Sequence, residues 1–194
     1  MRYRSYQSFR LTTVLTLIII NIIIFIGYLI NSSLFLDLFG LQRISFFHQP
    51  WTIVTSLFVH AGVSHILFNM LTLYWFGTAL SSLVGEKKFL IVYFGGGLLG
   101  NILFLLLALP YSIAVGASGA IFALGGVLAA MRPRLKVYII PIPVPIPLWI
   151  SVIGSFVVLS FVPGIARQAH LGGLVLGLIS GYFFRRQESR HNWR

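Results

Sequence analysis

The sequence predicts an all-α, polytopic membrane protein built as a bundle of six transmembrane helices. Of its 194 residues, 58% are hydrophobic and only 9% are charged. A soluble domain keeps about a quarter of its residues charged, so this chain has too few charges to cover a surface that faces water. Its charge-free stretches recur at lengths near the roughly 20 residues that a membrane-spanning helix needs. Lipid is therefore the expected solvent.

Six apolar stretches, here called spans 1 to 6, are predicted to cross the membrane. In chain order they are residues 11–30, 65–84, 89–109, 118–131, 148–162 and 170–184. Together they define one six-helix domain, residues 11–184. We expect a cytoplasmic N-terminal tail, residues 1–10, and a basic cytoplasmic C-terminal tail, residues 185–194.

Two connections between spans have compositions of their own. The connection 31–64 is long and aromatic and contains Asp37, Arg43 and His48, which predicts an amphipathic loop at the membrane interface. The segment before span 5 has a proline at every second position, so it cannot be helical and is predicted to be a stiff extended lead-in. Its prolines are Pro141, Pro143, Pro145 and Pro147.

All but two of the 14 Lys and Arg residues lie at span ends that six alternating crossings place on one side of the membrane. The exceptions are Arg43 and Arg167. Cytoplasmic loops carry an excess of Lys and Arg, so both termini are predicted to be cytoplasmic. This distribution leaves no basic face for a phosphate backbone, so the net charge of +11 does not indicate a nucleic-acid partner. We expect a multi-pass protein of a bacterial cell membrane.

Spans 4 and 6 are shorter than a hydrocarbon core of about 30 Å requires. Span 4 would extend only about 21 Å at about 1.5 Å per residue, and Arg132 holds its end at the cytoplasmic surface. Its start at Ser118 is therefore expected roughly 10 Å below the outer boundary. Span 6 repeats the pattern, with His170 at its outer end. We expect an internal polar cavity, open to the outside, with Ser118 and His170 at its floor.

The motif Gly116-Ala117-Ser118-Gly119 stands where irregular backbone becomes helix. A serine at a helix start, flanked by glycines, has an exposed hydroxyl and an unpaired backbone N–H that favours incoming negative charge. An acyl-transfer nucleophile needs both features. The alternative is a serine N-cap beside packing glycines, which is common in membrane helices, and the motif alone favours this alternative.

A histidine with two spaced glycines opens span 6. His170 lies on the same helix face as Gly173 and Gly177, which form a GxxxG pattern. Small residues let two helix backbones approach closely. Span 4 carries a mostly small stripe that is predicted to pack against this face: Ser118, Phe122, Gly125 and Ala129. Such packing would bring the Ser118 hydroxyl within hydrogen-bonding reach of the His170 imidazole.

A third polar group precedes these motifs. His65 and Asn69 are four residues apart at the start of span 2 and share one helix face, with His60 shortly before them. Polar side chains inside a span are costly and usually functional, and these could donate hydrogen bonds to an oxyanion. The alternative is a hydrogen-bonded pair between helices. A zinc site from His60, His65 and His170 is disfavoured, because no HExxH motif occurs and no acid lies near enough to act as base.

The acids limit the type of catalysis. The three Asp and Glu residues are Asp37, Glu86 and Glu188, none of them within a span, so an aspartyl protease is excluded. Glu86 and Glu188 are predicted on the cytoplasmic face, more than half a membrane thickness from Ser118, and Asp37 lies in the first connection. A triad needs a buried acid against the histidine, so we expect a Ser–His dyad. The absence of cysteine also excludes a thiolate nucleophile.

Together the three motifs resemble the rhomboid family of intramembrane serine proteases. In chain order they are His60-x4-His65-x3-Asn69, Gly116-Ala117-Ser118-Gly119 and Ala169-His170-x2-Gly173-x3-Gly177. The resemblance covers residues 51–184 at motif level, and the combination is highly specific. Two positions depart from the family pattern: Trp51 is followed by Thr52 rather than arginine, and Ser81 stands where a glutamate is common.

The resemblance implies a six-helix rhomboid-like fold and a role for each motif residue. Ser118 is the nucleophile and His170 the general base, and the side chains of His65 and Asn69 with the Ser118 N–H match the oxyanion hole. Phe122 has the position of an aromatic ring that stacks on the catalytic imidazole. The supporting positions are His60, Gly116, Gly119, Phe122, Gly173 and Gly177. The connection 31–64 matches the first loop of the family.

The implied activity is an intramembrane serine endopeptidase that cleaves transmembrane segments of membrane-protein substrates, with no cofactor and no metal. Span 5 matches the proposed lateral gate through which a substrate helix enters. The alternative is a non-catalytic rhomboid-like protein that binds membrane helices, but such relatives typically lack the serine or the histidine. A small transporter is disfavoured because the chain lacks a paired internal repeat.

Overall fold

The computed structural model describes residues 4–138 and 144–191, and it is mostly helical. The elements are α1 (Arg4–Ile30), α2 (Ser32–Phe39), β1 (Leu41–Gln42), α3 (Thr52–Thr55), a 3-10 turn (Ser56–Phe58), α4 (Val63–Val84), α5 (Glu86–Leu107), β2 (Ile113–Ala114), α6 (Ser118–Met131), β3 (Lys136–Val137), β4 (Ile146–Pro147), α7 (Leu148–Ser160) and α8 (Arg167–His191).

Three of these helices are long and apolar enough to cross a membrane: α4, α5 and the part Thr13–Ile30 of α1. α6 and α7 are shorter apolar helices. Large apolar side chains remain exposed on the outside of the bundle, as with Ile23 at 61% and Phe68 at 68%, which suits a surface that meets lipid. The class of helical membrane protein agrees with the sequence, while the number of crossings stays a prediction.

The predicted helix bounds hold best for α6, which begins at Ser118 and ends at Met131. The prediction of a short sixth helix is wrong, because α8 has 25 residues and continues past Phe184 to His191. Hydropathy marks only the apolar part of a helix, and the charged residues that follow Phe184 are good helix formers in water. α1 likewise begins at Arg4, within the segment assigned to the N-terminal tail.

The connection between α1 and α4 is more ordered than the predicted amphipathic loop. The Asn31 side chain accepts a hydrogen bond from the Leu34 N–H at 3.1 Å and so begins α2. Further on, β1 pairs antiparallel with β2, which lies just before Ser118, in the register Leu41 with Ala114. The connection is therefore tied by main-chain hydrogen bonds to the segment that leads into α6.

The proline-rich segment before α7 is described from residue 144 onward. Pro141 and Pro143, two of the four prolines of the predicted extended lead-in, lie outside the described residues. At its end, Pro147 of β4 pairs antiparallel with Lys136 of β3, and the Leu148 N–H donates to the Leu135 carbonyl at 2.7 Å. The extended segment is therefore anchored to the chain that follows α6.

α6 is the central helix of the bundle, with α4, α5, α7 and α8 packed around it. Nearly all of its residues are buried, and Ser118 and Ala130 are the partly exposed ones. Glycine and alanine make up much of its surface, so neighbouring helices approach it closely. This central position places Ser118 inside the bundle rather than on its outer face.

The predicted contact between α6 and α8 exists, but the stripe assigned to α6 is wrong by one position. A Cβ at Gly173 would collide with the Gly119 carbonyl oxygen, and one at Gly177 would collide with the Ala123 backbone. Gly125, a member of the predicted stripe, instead faces Phe76 and Val152 of α4 and α7. The Ser118 side chain contacts His170 at the edge of the interface between α6 and α8. The next residue, Gly119, packs directly against Gly173 of α8.

The helix ends opposite Ser118 meet at a basic end of the molecule. Thr13 of α1 donates a hydrogen bond to the Glu86 carboxylate of α5. Arg132, after α6, donates two hydrogen bonds to Glu188 of α8, at 2.5 and 2.8 Å. A cavity of about 550 Å³ at this end, distant from Ser118, is lined by Met131, Arg132, Pro133, Arg134, Leu135 and Arg185.

Candidate active site

Ser118 begins α6 after a turn that requires glycine. Gly116 has a φ of +113°, and a Cβ there would lie 2.6 Å from the His65 Nε2. Its backbone N–H donates to the Ser56 carbonyl at 2.8 Å, which fixes the turn against the 3-10 segment. Ser118 is thus the first residue of a helix, where the N–H groups have no intrahelical acceptor and the helix dipole is positive.

His170 lies in the first turn of α8, and its imidazole meets Ser118. The Nε2 atom is 2.7 Å from the Ser118 Oγ, a hydrogen-bonding distance. The imidazole is buried, with 4% of the residue exposed, and its ring centroid lies 4.6 Å from that of Phe122 at an interplanar angle of 37°. The His170 Nδ1 is buried and has no hydrogen-bond partner among the described residues.

His65 and Asn69 lie on the first turns of α4, and the His65 side chain reaches the turn before Ser118. The His65 Nε2 faces Gly116, as its distance to a Cβ there shows. The Asn69 side-chain amide donates to the His65 carbonyl at 2.8 Å, so one of its two protons is used within its own helix. The Asn69 Oδ1 is buried and unpaired among the described residues. The Asn69 side chain therefore keeps one amide proton that its own helix does not use.

His60 is fully buried beneath this turn. Its Nε2 accepts a long hydrogen bond from the Ala117 N–H, at 3.5 Å. The ring also makes an edge contact with His65 at 4.9 Å between centroids. His60 therefore contacts both the backbone before Ser118 and the neighbouring His65 imidazole.

The acids do not reach the His170 imidazole. Asp37 is exposed on α2, and Glu86 and Glu188 form their contacts at the basic end. Within the residues 4–138 and 144–191, no three His, Cys, Asp or Glu side chains are grouped so that they could hold a metal ion. The titratable side chains that the structure does bring to the Ser118 turn are the three histidines His60, His65 and His170.

Sequence reasoning missed two residues, one that binds the turn directly and one that binds the first. Ser56 supplies the carbonyl that binds the Gly116 N–H, and Asn101 of α5 donates from its side-chain amide to the Ser56 Oγ at 2.9 Å. Asn101 left a signal in the sequence, because it is a lone amide in the apolar span 3. Ser56 left no such signal, because it binds the turn through its backbone carbonyl and every residue has a backbone carbonyl.

The arrangement has the parts of an acyl-transfer site. An imidazole nitrogen within 2.7 Å of a hydroxyl can take its proton, and free N–H groups at a helix start can stabilise a developing oxyanion. The fold and this pair define a class: a helical membrane protein with a serine and a histidine joined at the buried ends of two closely packed helices.

Comparison with known proteins agrees with this class. The model of the Rhomboid domain matches residues 48–187. The protein YdcA of Bacillus subtilis (strain 168) is 34% identical over 142 residues, which cover 72% of this chain and 70% of YdcA. RHOMBOID-like protein 1 of Arabidopsis thaliana is 33% identical over 161 residues, and Rhomboid protease GluP of Bacillus subtilis (strain 168) is 33% identical over 146. These matches cover 79% and 73% of this chain but only 40% and 28% of those proteins.

This chain belongs to the rhomboid family. The match includes every motif residue from His60 to Gly177, so the resemblance found in the sequence extends over the whole candidate site. Family membership and the apolar helices together make it an integral membrane protein.

Proposed function

We propose that this protein is an intramembrane serine endopeptidase that cleaves transmembrane segments of membrane-protein substrates, with Ser118 and His170 as its catalytic dyad. The observation that carries the proposal is the 2.7 Å distance between the Ser118 Oγ and the His170 Nε2. Relatives named as rhomboid proteases support the reaction class.

In the proposed reaction, the Ser118 Oγ attacks the scissile carbonyl carbon while its proton passes to the His170 Nε2. The carbonyl oxygen becomes an oxyanion in the tetrahedral intermediate. When the C–N bond breaks, the leaving amine takes the proton from His170 and the substrate acyl group stays on Ser118. His170 then deprotonates a water that attacks this ester, and the proton returns to Ser118 as the acid product leaves.

The Ser118 N–H, His65 and Asn69 are proposed to stabilise the oxyanion. The N–H is at a helix start and lacks an intrahelical acceptor. The His65 Nε2 faces Gly116, and Asn69 has one amide proton that its own helix does not use. Donors that are already in place cost no reorganisation when charge develops, and this makes such groups effective in a site that excludes bulk water.

A dyad, rather than a triad, fits the surroundings of His170. Its Nδ1 lacks a hydrogen-bond partner among the described residues, and a triad requires an acid at that atom. The tilted Phe122 ring and the hydrogen bond to Ser118 then orient the imidazole. To accept the Ser118 proton as a base, Nε2 must be unprotonated, so in the proposed mechanism the neutral ring carries its proton on Nδ1.

The membrane arrangement that we propose has six crossings, with both termini in the cytoplasm. The cluster of Arg132, Arg134 and Arg185 would then face the cytoplasm, as the positive-inside rule requires. Ser118, at the other end of α6, would open to a water-filled cavity on the outer side. A substrate helix would enter from the bilayer and unwind near small or helix-breaking residues, since an intact helix keeps its carbonyls in internal hydrogen bonds.

The test is labelling of purified protein with a fluorophosphonate probe, combined with cleavage of a model transmembrane substrate. We expect the wild-type protein to label at Ser118 and to cleave. Ser118→Ala and His170→Ala should each lose both activities while remaining folded by circular dichroism. Clear cleavage by folded Ser118→Ala protein would contradict the nucleophile assignment. A wild-type protein that neither labels nor cleaves would favour the non-catalytic, helix-binding alternative.

A further inference from the structure

Asn101 is a buried amide in the middle of the apolar helix α5. Only 4% of the residue is exposed, and its Nδ2 donates two hydrogen bonds, to the Ile53 carbonyl at 2.7 Å and to the Ser56 Oγ at 2.9 Å. Both amide protons are therefore committed to the short helical segment that precedes α4. A polar side chain inside an apolar helix is costly to bury, so a residue that only filled space here would be apolar.

Ser56 connects this amide to the turn before Ser118. Its hydroxyl accepts from Asn101, and its carbonyl accepts from the Gly116 N–H at 2.8 Å. Ser56 is itself 1% exposed, so neither bond competes with bulk water. Two consecutive hydrogen bonds thus lead from α5 to a residue two positions before the Ser118 Oγ.

The same turn of α5 also meets the helix that carries His170. A Cβ at Gly100 would collide with the carbonyl oxygen of Ala169, and a Cβ at Gly172 would lie 2.7 Å from the Gly100 Cα. The first turn of α8 therefore rests directly on the backbone of α5. Two adjacent residues of α5 are thus linked to the two members of the pair. Gly100 contacts the helix that carries His170. Asn101 binds Ser56, which in turn binds the turn before Ser118.

We propose that Asn101 is a positioning residue that holds the Ser118 turn, through Ser56 and Gly116, at the correct distance from His170. The proposal rests on the proposed protease function. Without the amide, the turn keeps its bond to the Ser56 carbonyl, but Ser56 loses its attachment to α5. The Ser118 turn and α8 are then no longer both held against α5. The distance from the Ser118 Oγ to the His170 Nε2 becomes variable.

The test compares Asn101→Leu with Asn21→Leu as a matched control. Leucine has the same branched arrangement of heavy atoms as asparagine but lacks the donors. Asn21 is likewise a buried amide in an apolar helix, 0% exposed, but it donates to the Leu17 carbonyl of its own α1 and does not touch the site. Each variant is measured as folded protein for kcat and KM on a transmembrane substrate, and for amide hydrogen exchange in the segment 113–118.

We expect Asn101→Leu to lower kcat by about 10- to 100-fold, because a displacement of about 1 Å in a reacting group can cost that much. KM should stay within about twofold, and exchange at 113–118 should accelerate. Asn21→Leu should change neither. If Asn101→Leu fails to fold, Ser56→Ala removes the same link from its other end and should change kcat and exchange in the same direction.

The exchange measurement separates the two proposals, because it needs no enzymatic activity. A wild-type protein without activity would overturn the proposed function, whatever the exchange shows. An active wild type together with an Asn101→Leu variant of unchanged kcat and unchanged exchange would overturn the positioning role alone.

Discussion

The side-chain amide of Asn69 donates a hydrogen bond to the backbone carbonyl of His65, one turn earlier on α4 and 2.8 Å away. This bond fixes the orientation of the amide and leaves its second proton without an acceptor in the helix. The Asn69 Oδ1 is buried and finds no hydrogen-bond partner within residues 4–138 and 144–191, which costs stability. An amide held in this way suits a donor that acts only when charge develops nearby.

Replacing Asn69 with alanine should therefore lower turnover more than it lowers stability. We expect kcat to fall by up to about 10²–10³-fold, the cost of one lost oxyanion donor. Labelling of Ser118 by a fluorophosphonate should weaken less. The control is Thr72→Ala on the same helix. It removes a similar but exposed hydrogen bond, from the Thr72 hydroxyl to the Phe68 carbonyl one turn earlier. Equal kcat for Asn69→Ala and wild type would assign Asn69 to packing.

Neutralising Asp37 should leave most of the activity. Asp37 is exposed on α2, and the other two acids lie at the basic end. The measurement is kcat/KM of Asp37→Asn on a transmembrane substrate. Loss of a triad acid costs about 10⁴-fold in a soluble serine protease. A decrease of about a thousandfold or more would therefore show that the connection folds inward to complete a triad.

A methyl group at Gly173 should separate α6 from α8. Its Cβ would collide with the Gly119 carbonyl oxygen, and this contact between two backbones cannot relax by rotating a side chain. We expect Gly173→Ala to lower stability by about 1–3 kcal/mol, the usual range for overpacking, and to remove activity. Thermal unfolding in detergent measures the first effect. Gly154→Ala in α7 meets no atom within 4 Å and should unfold like the wild type.

The access of water to Ser118 can be tested with introduced thiols, because the chain has no cysteine. Ser118→Cys should react with a membrane-impermeant maleimide added from the extracytoplasmic side, since Ser118 is partly exposed. Ala129→Cys, about three turns further along α6, is 3% exposed and should not react. Arg134→Cys at the basic end should react only from the cytoplasmic side. If Ser118→Cys reacts only from the cytoplasmic side and Arg134→Cys only from the extracytoplasmic side, the proposed topology is inverted.

The pair of Arg132 and Glu188 should make stability depend weakly on pH. Hydrogen bonding to the Arg132 guanidinium holds the pKa of Glu188 below its usual range. The contribution is therefore fully present above the ordinary carboxyl pKa of about 4.3 and is lost as the pH falls through the lower folded value. Both side chains are more than a third exposed, so the pair contributes no more than about 1 kcal/mol. Glu188→Gln should lower the unfolding temperature slightly at pH 7, and the difference should shrink below about pH 4.

The parts of the fold that follow from local chemistry were predictable. Ser118 and Arg132 bound α6 in the sequence because glycine and charge both interrupt an apolar run there, and the structure has the same bounds. The end of α8 was not predictable from hydropathy, which marks where apolar side chains end, whereas a helix ends where its backbone hydrogen bonds end. The segment 32–58 was missed because its short elements depend on partners far along the chain, such as Ala114 for Leu41.

The candidate site, too, was only partly predictable from the sequence. Sequence spacing was enough to expect Ser118 beside His170, since each stands at the start of a helix rich in small residues. It could not resolve which face of α6 meets α8, because Gly119 and Gly125 are equally small and only the packed structure distinguishes them. The bond from the Gly116 N–H to the Ser56 carbonyl involves main-chain atoms of residues 60 positions apart, and no side-chain pattern records it.

The distance along the chain between Ser118 and His170 also sets an order of events during synthesis. The residues that fix the serine turn, from Leu41 to His60, all leave the ribosome before Ser118 does. The imidazole follows 52 positions later, and only then can the α6–α8 contact close. At about 5–20 residues per second, the nascent chain carries Ser118 for several seconds before His170 is made. In the proposed mechanism, a chain interrupted in that interval lacks its base and is inactive.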